Sequence, residues 1–130
     1  MNLAFVALLV ATASDPRVKD AERLAAHGEL DAARAQYQAI HDELAASGAE
    51  ASSGLHYNLG TLALSADDTG AAVLHLLAAA RRAPADDDVQ HNLATALAHR
   101  ADQVEASSPD AMGARLPPGP VALAFGSLMA

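Results

Sequence analysis

An all-α fold follows from three features of this chain: its alanine content, its lack of strand-like alternation, and a block that recurs after thirty-four positions. Alanine makes up about a quarter of the residues and is the best intrinsic helix former, so helix is favoured before any periodicity is counted. Nowhere do β-branched residues alternate with polar ones as a half-buried strand requires. The block Asn58-Leu59-Gly60 has a counterpart in Asn92-Leu93-Ala94. Ala72, Ala79 and Pro84 follow the first copy, which is the spacing of two closely packed helices ending at proline. Aromatic residues are limited to Phe5, Tyr37, Tyr57 and Phe125, so the helices must pack through small side chains.

The elements follow in order. Asp15-Pro16 opens the first helix, with aspartate as N-cap and proline at the first helical position, where its missing N–H costs nothing. This helix is expected to reach about His27, with Val18, Ala21, Leu24 and Ala25 on one face. Gly28-Glu29 makes the turn. The second helix is expected from about residue 30 to 46, burying Leu30, Ala33, Tyr37, Ile40 and Leu44, and residues 47–54 form a small polar loop. A third helix begins after Ser53 and carries Leu55, Leu59, Leu62 and Ala63 inward. Asp67-Asp68 ends it and, with Thr69, opens a fourth helix that turns Val73, Leu76, Leu77 and Ala80 to the core. Arg81-Arg82 lie near the negative end of its dipole and Pro84 closes the pair. Asp86-Asp87-Asp88 suits the positive end of a fifth helix running to about residue 106.

Both ends are apolar. Leu3 to Ala13 carries no charge and closes with Ala11-Thr12-Ala13-Ser14, so residues 1–14 read as a signal peptide, too short for a span of ~20 residues. Met1-Asn2 supplies no basic side chain; a mis-assigned start or a buried first helix are the competing readings. Residues 15–106 form the helical domain and 107–120 a linker with Pro117-Pro118-Gly119-Pro120. Residues 121–130 resemble the first half of a membrane-spanning helix and are too short to span alone. The expected location is exported, periplasmic or membrane-associated, against a cytoplasmic alternative. Eight basic and sixteen acidic residues give a net charge of −8, which disfavours a nucleic-acid partner and favours a basic one. With no cysteine, disulfides and zinc–thiolate sites are excluded.

These residues together resemble the tetratricopeptide-repeat family. With the family's first-helix glycine set on Gly60, Leu59 takes its leucine, Ala72 and Ala79 its small second-helix sites, Leu76 its large one and Pro84 its closing proline. His56 stands where the family has tryptophan and Ala63 where it has tyrosine. A degenerate first unit places Gly28 at the inter-helix turn, Ala33 on the small site and Tyr37 on the large one. A half unit follows Pro84. The resemblance, over about residues 16–105, implies a right-handed helix–turn–helix solenoid of about two and a half repeats. More narrowly, Tyr57-Asn58-Leu59-Gly60, Pro84-Ala85-Asp86-Asp87-Asp88 and Asn92-Leu93 resemble the periplasmic members of bacterial aerotolerance (Bat-type) operons.

The family resemblance implies a concave groove contributed by the first, third and fifth helices, in which Asn58 and Asn92 contact a bound peptide. The bland alternative for both is hydrogen bonding between helices. By helical spacing Lys19, Tyr57, Thr61 and His91 share that face. The lysines of a carboxylate clamp are not matched, since Gly54 and Asp88 stand there. Six histidines (His27, His41, His56, His75, His91 and His99) include no pair three or four apart on one helix, so structural or exposed roles are expected and no metal site. Asp86 to Asp88 lack the glycine and distal glutamate of a calcium loop and read as a helix cap. No activated nucleophile, phosphate-cradling loop or dinucleotide fingerprint is present, and no cofactor is expected. The expected function is a non-enzymatic scaffold binding a protein or peptide partner. The alternatives are a structural helical spacer and a cytosolic adaptor without a groove ligand.

Overall fold

The computed structural model describes residues 15–108, and both apolar ends lie outside the described residues. Five helices fill this span with no strand among the described residues: α1 (Pro16–Ala26), α2 (Leu30–Ala46), α3 (Ser53–Ser65), α4 (Thr69–Arg82) and α5 (Asp87–Ser107). The chain is all-α. The compact unit that holds α1 to α4 ends at Ala98, within α5, whose last residues belong to a second unit. No described helix is long and apolar enough to cross a membrane.

Helix boundaries are set by hydrogen bonds made within a few residues. The carboxylate of Asp15 accepts from the Arg17 amide, Ser52 Oγ from Leu55 and Asp68 from Ala71, each supplying a partner that the first helical turn lacks. Asp86 does the same for α5 by accepting from the amides of Asp88 and Val89. The first three helices end alike. The amides of Glu29, Ala49 and Asp68 reach back to the carbonyls of Leu24, Leu44 and Ala63 respectively, each at 2.9 Å. Gly28, Gly48 and Asp67 hold the preceding position with φ of 80°, 73° and 57°, completing three Schellman turns. Glycine adopts this left-handed conformation without penalty, whereas Asp67 holds it as a side-chain-bearing residue.

Packing is sequential. Arg17 at the start of α1 pairs with Glu43 near the end of α2 at 2.7 Å, and Ser53 at the start of α3 donates to the Ala79 carbonyl near the end of α4. Each of these pairs is therefore antiparallel. One core joins Ala21, Ala33, Tyr37, Ile40, Leu44, Ala51, Leu55, Leu59 and Leu62. The other joins Ala63, Ala72, Val73, Leu76, Leu93 and Ala96. Helix α3 serves both, with Leu55, Leu59 and Leu62 in the first core and Ala63 in the second. Each fully buried leucine or isoleucine contributes roughly 1.5–3 kcal/mol. Arg34 and Asp68 tie α2 to the turn before α4 at 2.6 Å.

Gly60 marks the closest approach of α3 to α4. A Cβ added there would stand 2.6 Å from Leu76 Cγ and 3.2 Å from the Leu76 backbone nitrogen. The residue nearest to that added Cβ is thus Leu76. Two expectations are corrected. Leu30 and Leu77, assigned to the core by periodicity, are 39% and 40% exposed. The faces actually covered run through Ala33, Tyr37, Ile40 and Leu44 on α2, and through Ala72, Val73, Leu76 and Ala79 on α4. Leu30 lies at the first position of α2 and Leu77 flanks the α4 stripe, so neighbouring helices reach neither fully.

Candidate functional site

Two features assemble polar side chains within this apolar framework. The first is a cleft of about 230 Å³ lined by Glu22 and Ala25 of α1, Tyr37 of α2, and Asn58, Thr61 and Leu62 of α3. Close packing of α1 on α2, through the fully buried Ala21 and Ala33, brings the first two of these helices together beside it. Tyr37 is 3% exposed, and its phenol pKa is raised by burial and by the facing charge of Glu22. Pockets for drug-sized ligands measure roughly 300–1,000 Å³, so this smaller cleft suits a single side chain or a stretch of backbone instead. Its polar equipment is one carboxylate, one amide, one hydroxyl and a phenol.

The groove residues expected from sequence divide. Asn58 and Thr61 line the cleft. Asn92 on α5 directs its amide to α3, donating to Thr61 Oγ1 at 3.0 Å and Tyr57 Oη at 3.3 Å. Tyr57, Thr61 and Asn92 therefore form one inter-helix network, and Asn92 has the bracing geometry of its bland alternative. Lys19 and His91 are exposed and line no part of the cleft. Glu22 and Tyr37 are absent from the expected set. Glu22 sits three residues after Lys19 on α1, and Tyr37 belongs to the apolar stripe of α2, a position read as core.

The second feature is a histidine cluster. His41 of α2, His56 of α3 and His75 of α4 each bring a ring nitrogen within 4.8 Å of the other two. Their ring centroids are 5.3–5.4 Å apart. His56 Nδ1 and His75 Nδ1 lie 3.1 Å apart, so in the neutral pair one donates and the other accepts. His56 and His75 are each 8% exposed. Burial lowers the pKa of His56 to about 4, reinforced by Arg82, His75, His41 and Arg81. His75 is lowered by burial and by His41 and Arg34, partly offset by Asp68. Both rings are therefore neutral at pH 7, the protonation state in which imidazole ligates metals. His41 Nδ1 is buried and makes no hydrogen bond; the nearest carboxylate oxygen, on Asp42, is 3.6 Å away, beyond hydrogen-bonding range.

A search for ligand pairs within one helix overlooks this cluster, because each histidine comes from a different helix. The available signal was position within buried stripes. His41 falls between Tyr37 and Leu44, His56 precedes Gly60 and Ala63, and His75 falls between Ala72 and Ala79, all at spacings of three or four. Comparisons with protein families, with characterised proteins and with solved structures yield no match.

Proposed function

We propose that this chain is a non-enzymatic interaction scaffold of tetratricopeptide-like architecture that holds a segment of a protein partner in the cleft between α1 and α3. One observation carries the reading: the cleft places Glu22, Asn58 and Thr61 beside the buried Tyr37 in a space sized for one side chain. The three polar groups offer hydrogen bonds and one negative charge, which suits a basic side chain or an extended backbone. The net charge of −8 attracts such a segment over longer range. The repeated Schellman turns and the Asn58/Asn92 offset support a repeat arrangement, in which neighbouring units build a surface rather than a catalytic pocket. Export to the periplasm or a membrane surface, as part of a cell-envelope complex, rests on the apolar ends and on the resemblance to the Bat-type periplasmic proteins. N-terminal sequencing of the cellular protein tests it, with cleavage near Ser14 supporting export.

Selection from a displayed peptide library, followed by binding titrations with the recovered peptides, tests the scaffold reading. Peptides enriched in lysine or arginine should bind the parent and lose affinity tenfold or more with Asn58→Ala and Glu22→Gln, at unchanged melting temperature. Binding that survives both substitutions would remove the cleft from the interface.

A further inference from the structure

We infer that His41, His56 and His75 form a binding site for a divalent transition metal of the zinc class, held by three imidazoles contributed by three successive helices. The geometry favours this over a simple hydrogen-bonded pair. Zinc–nitrogen bonds of about 2.0–2.1 Å in a tetrahedral arrangement place ligand nitrogens about 3.3–3.4 Å apart. The His56 and His75 Nδ1 atoms already stand at 3.1 Å. The three ligand nitrogens lie within 4.8 Å of one another, so closing the set takes about an ångström of further approach. A His56–His75 hydrogen bond satisfies those two nitrogens but leaves His41 Nδ1 buried without a partner. An ordered water or a bound ion supplies a partner for such an atom.

The surroundings accommodate a dication. Imidazole nitrogens without thiolate suit zinc, copper and nickel rather than magnesium or calcium. The two arginines closest in their influence, Arg34 and Arg82, are each paired, Arg34 with Asp68 at 2.6 Å and Arg82 with Glu50 at 3.5 Å. Their positive charge is thus partly offset before a metal arrives. His41, whose side chain is 26% exposed, marks the solvent side of the cluster. A tetrahedral ion bound by three histidines takes water as its fourth ligand on that side. Because the ligands come from α2, α3 and α4, a bound ion adds a cross-link among three helices to the apolar packing already between them. Metal that binds only the folded chain stabilises it by mass action.

The test uses the full chain, free of any histidine tag and pretreated with chelator. Zinc chloride is titrated in by calorimetry, and melting is followed by circular dichroism. One zinc per chain is expected, with a melting temperature raised by roughly ten degrees at a hundredfold excess over Kd. His41→Gln alters the most exposed ligand and should weaken zinc at least tenfold, while His91→Gln and His99→Gln leave it unchanged. Should a cluster variant fail to fold, the parent supplies its own answer through long-range ¹H–¹⁵N spectra of the histidine rings. Zinc must then shift the nitrogens of His41, His56 and His75, and Co²⁺ must give the visible absorption of a tetrahedral ion. The inference is overturned if zinc does not bind at one per chain. It is equally overturned if zinc shifts other histidines or survives His41→Gln undiminished.

Discussion

Replacing Gly60 with alanine isolates the contact that lets α3 and α4 pack. In an exposed helix interior, glycine to alanine stabilises by roughly 0.5–1 kcal/mol through backbone entropy. Here the new Cβ meets Leu76 Cγ at 2.6 Å, about an ångström inside the ~3.5–4.0 Å of ordinary carbon contact. Leu76 is fully buried, and the atom struck is its branch point rather than a free end. Its backbone nitrogen at 3.2 Å limits retreat along the same direction. Overpacking of this kind costs about 1–3 kcal/mol and outweighs that gain, so the net effect is a loss of up to about 2 kcal/mol. For a domain of this size that lowers the melting temperature by up to roughly 15 °C. Thermal and urea unfolding followed by far-UV circular dichroism measure it. Gly70→Ala, in α4 with nothing within 4 Å of its added Cβ, serves as the control and should be neutral or mildly stabilising. In a Leu76→Ala background the Gly60→Ala change should become stabilising by roughly 0.5–1 kcal/mol, because the obstructing side chain is gone. A Gly60→Ala protein that melts at or above the parent refutes the reasoning, as does an equal loss in both backgrounds.

Other outcomes follow from the turns, the network and the cap. Asp67→Gly removes a side chain from a left-handed position and should stabilise by roughly 0.5–1 kcal/mol in urea, whereas Gly28→Ala and Gly48→Ala should destabilise by about 1 kcal/mol each. Asn92→Ala loses two inter-helix hydrogen bonds and should cost about 1 kcal/mol, measured as a lower urea midpoint; an unchanged midpoint would mean the network is not formed in solution. The Asp15 carboxyl is held below its usual range chiefly by the Arg17 side chain, so its contribution is complete above the unfolded carboxylate pKa of ~3.9. It is lost as pH falls through the lower folded value. Arg17→Met should therefore weaken the protein above pH ~4 while flattening the acid limb of its stability curve. An acid limb as steep as the parent's would show that Arg17 does not depress Asp15.

Much of the fold was legible because its punctuation is local. Asp15, Ser52, Asp68 and Asp86 cap helices through bonds spanning two or three residues, and Gly28 and Gly48 end them through conformations open to glycine. These choices are made by neighbours in sequence, so the bounds of α2 and the start of α5 could be placed without any tertiary contact. Composition likewise settled the helical class, since alanine leaves strands little to bury. What periodicity could not decide was which part of a broad apolar face its neighbours would cover. Leu30 and Leu77 carry the right spacing yet remain partly in solvent: Leu30 stands at the first position of α2, and the close approach at Gly60 turns the α4 stripe of Ala72, Leu76 and Ala79 inward and leaves Leu77 at its margin. The polar groups of the cleft depended on distance as well. Glu22, Tyr37 and Asn58 lie on three helices, and only the close approach of α1, α2 and α3 turns them toward one space. The histidines show the same limit most clearly. Fifteen and nineteen residues separate His41, His56 and His75 along the chain, and no helical period links them. Burial on three separate faces, decided by how the helices stack, is what brings their nitrogens together.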